Sequence, residues 1–114
     1  MSDEIRLVSE LTSDTYKNSV GNAITVIRIE KEIVMTAKEI AKLYGVSRAN
    51  ITMKLTAFFR TKKFVKKEVS KVLAHRADDG KLYETRYYNQ DVILEIGKHI
   101  KSQEVENLRR WING

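Results

Sequence analysis

Cysteine and proline are absent from this chain, and histidine occurs only twice. No disulfide or thiolate metal site can form, so the core must hold without covalent help. A cysteine-free chain suits a reducing compartment, and a cytoplasmic location is expected. Two histidines with no paired carboxylate cluster give no metal-ligand spacing. No apolar run approaches the roughly 18 residues of a membrane span, and the stretch after Met1 lacks a basic-then-apolar signal pattern. There is no internal repeat, low-complexity tract or linker in the 114 residues, which points to one domain. Neither a nucleophile motif nor a Gly-rich phosphate loop occurs, so no catalysis, cofactor or small-molecule substrate is expected.

What is abundant is positive charge. Twenty-one Lys and Arg face fifteen Asp and Glu, for a net charge of +6 and a pI of 9.6. Nucleic acid, acidic protein and anionic lipid are all compatible with that balance. The charge is concentrated. From Arg48 to Arg76 there are nine cations, and Glu68 alone opposes them.

The chain divides simply. Residues 1–22 are polar and mixed, without sustained periodicity, and read as an N-terminal arm; residues 23–114 read as the domain. "AITVIRIE", Ala23 to Glu30, is β-branched and alternating, which predicts a strand, and "KE" turns the chain into a short second strand, "IVM". Thr36 followed three residues later by Glu39 is a capping-box pattern, so a helix should begin at Ala37. Ile40, Ala41, Leu43 and Tyr44 form its apolar face, and Gly45 stands where a left-handed residue must end it. Ser47 is a good N-cap for a second helix carrying Ile51, Leu55, Phe58 and Phe59 inward. Two helices joined by a tight Gly-containing turn make a helix-turn-helix.

With Ile51 and Leu55 inward, Ala49, Met53, Thr56 and Ala57 point outward, flanked by Asn50 and Thr52. Arg48 opens the helix, where a recognition helix brings side chains to base edges. Arg48, Ala49, Asn50, Thr52, Met53 and Thr56 are therefore the expected base contacts. For Met53, a thymine methyl contact and packing under a neighbouring segment are both open. Thr36, Lys38, Ser47, Lys54, Arg60, Lys62, Lys63, Lys66, Lys67, Arg76 and Lys81 are the expected phosphate contacts, the class that supplies sequence-independent affinity.

Asp79-Gly80, between two strand-like runs, signals a hairpin. A hairpin after the second helix acts as a wing, so the expected fold is α+β, a winged helix-turn-helix with short N-terminal strands and C-terminal helices. His75 reads as a surface strand residue, and Tyr83, Tyr87 and Tyr88 as core and sheet surface. Asn89 is the natural N-cap of a helix with Val92, Ile93, Ile96 and Ile100 on one face. Ser102 caps a last segment with Val105, Leu108, Trp111 and Ile112 in helical period, and His99 lies beside the stripe. Leu108 and Trp111 come so near the end of the chain that a homodimer through the last helix is expected.

"MTAKEIAKLYGVSRANI", "ADDGKLYETRYYNQDVILEIGKHIKS" and "LRRW" together resemble the N-terminal domain of the RhuM-type virulence proteins, across roughly residues 23–112. The most specific piece is "YYNQDVILEIGKHIKS". The family usually places Arg-Gly soon after that Ser, where this chain has "QEVEN", and its members commonly continue well past the Trp. The resemblance implies a DNA-binding module and no catalytic residue. The expected function is double-stranded DNA binding and transcriptional regulation by occlusion, of a mobile element or virulence-associated locus. The alternative is a protein-interaction module, an antirepressor or toxin-neutralising subunit that docks an acidic partner on the same scaffold. RNA binding is weaker, because no exposed aromatic platform is evident.

Overall fold

The computed structural model describes residues 5–114, and its frame is a five-stranded antiparallel sheet, α+β in class. The strands are β1 (Thr12–Lys17), β2 (Ala23–Ile29), β3 (Glu32–Thr36), β4 (Ser70–Arg76) and β5 (Leu82–Asn89), in the order β1-β2-β3-β5-β4. Five helices accompany them: α1 (Ala37–Tyr44), α2 (Arg48–Arg60), the short α3 (Lys66–Val69), α4 (Gln90–Ile100) and α5 (Glu104–Asn113). β3 leads directly into α1, and β5 directly into α4.

Period-2 alternation explains why β2 looks almost continuously apolar. Its even positions Ile24 and Val26 join Ile33 and Met35 beneath α1, α2 and α4. Its odd positions Ile27 and Ile29 join Val34 and Leu73 on the opposite side, with Val8, Leu11 and Tyr87 packed against them. A strand buried on both faces loses the polar half of its alternation.

The N-terminal arm is the first expectation to be corrected. Its first four residues lie outside the described residues. From there the chain docks on the sheet instead of hanging free. Leu7 bridges Ala74, a 3-10 turn spans Val8–Glu10, and β1 pairs with β2 from Thr12 opposite Arg28 to Lys17 opposite Ala23. β1 is an edge strand with one buried side chain, Tyr16, so "TSDTYK" carries almost no hydrophobic signal. Asn18, just beyond it, is buried and ties this end to α1. Its side-chain amide donates to the carbonyls of Lys42 and Leu43, while its oxygen accepts from the amides of Val20 and Asn22.

Two local expectations are refined. Thr36 accepts from the Glu39 amide at 3.1 Å, but the Glu39 carboxylate accepts from the Thr25 amide at 2.6 Å and pairs with Lys42 at 3.2 Å. Only half of the capping box forms, because β2 offers a closer donor. The β4–β5 connection is wider than a two-residue turn. Ala77 donates to the Lys81 carbonyl across Asp78, Asp79 and Gly80, with Gly80 at φ 83°. That is a three-residue loop with its left-handed position filled by glycine.

The two side chains that prompted the dimer expectation find cover within the chain itself, Leu108 fully in its core and Trp111 in part. Trp111 meets the Tyr16 ring edge-on at 5.2 Å, and the Arg28 guanidinium lies 5.0 Å from its centre. The missing cover comes from β1 and β2. No helix among the described residues is long and apolar enough to cross a membrane.

Candidate nucleic-acid interface

α1 and α2 are joined by Gly45, Val46 and Ser47. Gly45 sits at φ 67°, ψ 36°, and the amides of Gly45 and Val46 both donate to the Ala41 carbonyl. This left-handed closure stops α1 and turns the chain at once. Ser47 then accepts from the Asn50 amide at 3.0 Å, starting α2. Ile51, Leu55 and Phe58 anchor α2 in the core, and Phe59 stacks on Tyr88 of β5 at 6.3 Å. The helix is thus held from beneath and from the hairpin side, with its remaining surface free.

That surface carries the expected base contacts. Arg48, Ala49, Asn50, Thr52, Met53 and Thr56 are all exposed. Met53 is 72% exposed, which excludes packing under a neighbour. Small and polar side chains along one ridge suit entry into a groove about 12 Å wide. Ala49, Asn50, Met53 and Ala57 also form one wall of a groove of about 620 Å³, closed by Phe58, Thr61, Lys63 and His99.

The expected phosphate contacts divide among several surfaces. Lys38, Ser47, Arg60 and Lys62 are exposed on or beside the helix pair, and Lys54 is half-buried at the groove. Thr36 and Ser47 use their oxygens as caps, which leaves each hydroxyl proton available to donate. Lys63 pairs with Glu95 at 3.2 Å, and His99 reaches the same carboxylate at 3.3 Å. Burial pushes Glu95 up, but Lys63, Lys98 and His99 outweigh it and hold the carboxyl below its ordinary value. Lys66 and Lys67 lie on α3, and Lys67 lines grooves with β4 residues instead of the α2 ridge. At the hairpin tip Arg76 donates to the Gly80 carbonyl at 2.9 Å, and Lys81 shares the loop with Asp78 and Asp79. His75 is exposed there and lies beside the Tyr83 ring.

Arg86 was not among the expected contacts, yet it lines a groove with Lys38 and Arg48 between the start of the helix pair and the hairpin stem. It shares a strand face with Tyr88, two residues on. That spacing was the available signal. Burial raises the Tyr88 hydroxyl, while Arg86 and Arg48 pull it back, and all three residues line the same groove. Among the described residues no group of His, Cys, Asp or Glu is arranged to hold a metal ion. No family model, no curated protein and no solved structure matches this chain.

Proposed function

We propose that this chain is a winged helix-turn-helix protein that binds double-stranded DNA and regulates transcription by occluding the sequence it occupies. α2 is the recognition helix and β4–β5 the wing. The observation that carries the reading is the α2 surface: an exposed ridge of small and polar side chains opened by Arg48 and followed by Arg60 and Lys62. From Arg48 to Lys67 the sequence contains no carboxylate. The path of the chain supports the same assignment. β3, α1, α2, the short α3 and the β4–β5 hairpin follow one another, and β5 pairs back with β3, Met35 opposite Tyr88. The resemblance of these segments to RhuM-type proteins points the same way, toward a regulator of a mobile element or virulence-associated locus.

Selection of bound sequences from a random duplex pool tests the reading. A defined motif is expected, and a palindromic one would indicate two copies bound about one helical turn apart. Featureless recovery combined with salt-insensitive binding would overturn it, since phosphate contacts weaken steeply with salt.

One observation favours a second reading. The groove beside α2 is lined by apolar Met53, Ala57 and Phe58 together with Lys54 and Lys63, a chemistry that also fits an acidic amphipathic segment of a partner protein. Such a partner would cover Asn50 and compete with DNA.

A further inference from the structure

Two grooves without carboxylates meet at Arg86. The first, about 430 Å³, holds Lys38 and Arg48 with Arg86. The second, about 470 Å³, runs along β4 and holds Arg86 with Lys67, Lys71 and Ser70. Arg86 is fixed at the junction: its guanidinium donates to Ser70 Oγ at 2.8 Å, across the β4–β5 ladder. None of these five cations forms a salt bridge among the described residues. Lys67 and Lys71 also border a third groove, which Glu30, Glu32 and Glu68 line with them, and there the positive surface ends.

The wing tip has the opposite character. Asp78 and Asp79 sit in its loop, Glu84 lies on β5, and Arg76 is bound to the loop backbone. Like charges there would repel a phosphate chain, whereas the stem offers cations in a row. On the DNA-binding reading above, we infer that the duplex flanking the α2 site lies across the hairpin stem, with its backbone running from Lys38 and Arg48 past Arg86 to Lys67 and Lys71. The wing then touches DNA through its base and not through Arg76 or Lys81 at its tip. The footprint is longer than one recognition helix needs, and its extension falls on one side.

Duplex length separates this path from the α2 contact. Wild type and the Lys67→Gln/Lys71→Gln double variant are titrated with one selected site held in duplexes of about one and about three helical turns, roughly 11 and 31 base pairs. Wild type should bind the long duplex several-fold more tightly than the short one. The double variant should lose that gain, with the salt slope on the long duplex reduced by about two, and should match wild type on the short duplex, which also shows that it is folded. Equal wild-type affinity for both lengths would overturn the path while leaving α2 recognition standing. Equal loss on both lengths would overturn it too, because the lysines would then belong to the α2 site. Polyglutamate that displaces no DNA but binds wild type better than the variant would assign the stem to an acidic protein, and the path would fall. Wild type binding neither duplex would remove the DNA reading itself.

Discussion

The two ends of the molecule treat charge in opposite ways. Around α2, cations stand in solvent with few counter-charges, and the protein gains nothing in stability from gathering them. At the start of α5 a carboxylate is buried instead. Glu104 is 5% exposed, and it accepts from the Tyr16 hydroxyl, from the Ser19 amide at 2.9 Å, from Ser19 Oγ at 2.8 Å and from Asn107 Nδ2 at 3.5 Å. Burial alone pushes the Glu104 carboxyl up, but these donors outweigh it and bring it below its ordinary value. Desolvation and Glu104 together push the Tyr16 hydroxyl well above the tyrosine range. A buried charge so completely satisfied locks β1, the turn after it and α5 into one unit. On the proposed function, the cationic end is left for DNA phosphates to neutralise. Substitutions should therefore sort cleanly, with stability lost at one end and binding lost at the other.

The strongest challenge to that division is Gly97→Ala. Gly97 lies in α4 against α5 and α1, and a Cβ there would stand 2.1 Å from Val105 Cγ2 and 2.5 Å from the Tyr44 hydroxyl. Tyr44 is held in place by its bond to the Ile93 carbonyl at 2.6 Å. Overpacking of this kind costs typically 1–3 kcal/mol and occasionally more. Denaturant unfolding should show a loss of about 3 kcal/mol, and the folded fraction should bind DNA normally. An unchanged midpoint would mean that α4 and α5 pack less closely than described.

Next comes acid. Because the folded Glu104 value lies below the ordinary 4.5, its contribution is complete above that pH and disappears as pH falls through the folded value. Glu104→Gln should therefore cost about 1.5–3 kcal/mol at pH 7, the range for hydrogen bonds to a charged group, and much less at pH 3. A deficit that stayed constant with pH would show that shape, not charge, holds the clasp. At the alkaline end the raised Tyr16 value has the opposite sign: its contribution is full below about pH 10 and is lost as pH rises through the folded value.

At the other end Asn50→Ala should leave unfolding unchanged, since Asn50 is exposed and only its backbone amide serves the Ser47 cap. On the selected DNA site it should cost about 1–3 kcal/mol, with little effect on random duplex. Equal losses on both DNAs would remove Asn50 from base reading.

The helix pair was legible because its signals are local: the Thr36 and Ser47 caps, Gly45 between them, and inward positions spaced over two short helices. The clasp was not. Tyr16 and Glu104 are 88 positions apart, and neither residue type announces a buried partner. β1 escaped for a related reason, since an edge strand burying only Tyr16 has no alternation to read. The expected phosphate contacts suffered from the same blindness to distance. Lys62, Lys63 and Lys67 are close in sequence, yet they end beside α2, on Glu95 and in the β4 groove.

The smallest expected effect lies where stability and binding meet. Lys62 follows α2 at φ 62°, a left-handed backbone that side chains with a Cβ adopt at a cost of roughly 1–2 kcal/mol. Its amide and that of Lys63 close the helix end on the Phe59 and Phe58 carbonyls at 3.3 and 2.9 Å, so the conformation is part of the helix stop. Glycine relieves that strain but makes the unfolded chain more flexible, which offsets part of the gain. Lys62→Gly should stabilise the fold by about 0.5 kcal/mol while reducing the salt slope of DNA binding by about one. Lys62→Asn keeps a residue tolerant of this backbone and removes the same charge, so it should show the binding change with little change in stability. If Lys62→Gly instead weakened folding, the lysine stem would be contributing packing here. If neither variant altered the salt slope, Lys62 would stand outside the DNA contact, and the cationic end would begin its work at Arg60.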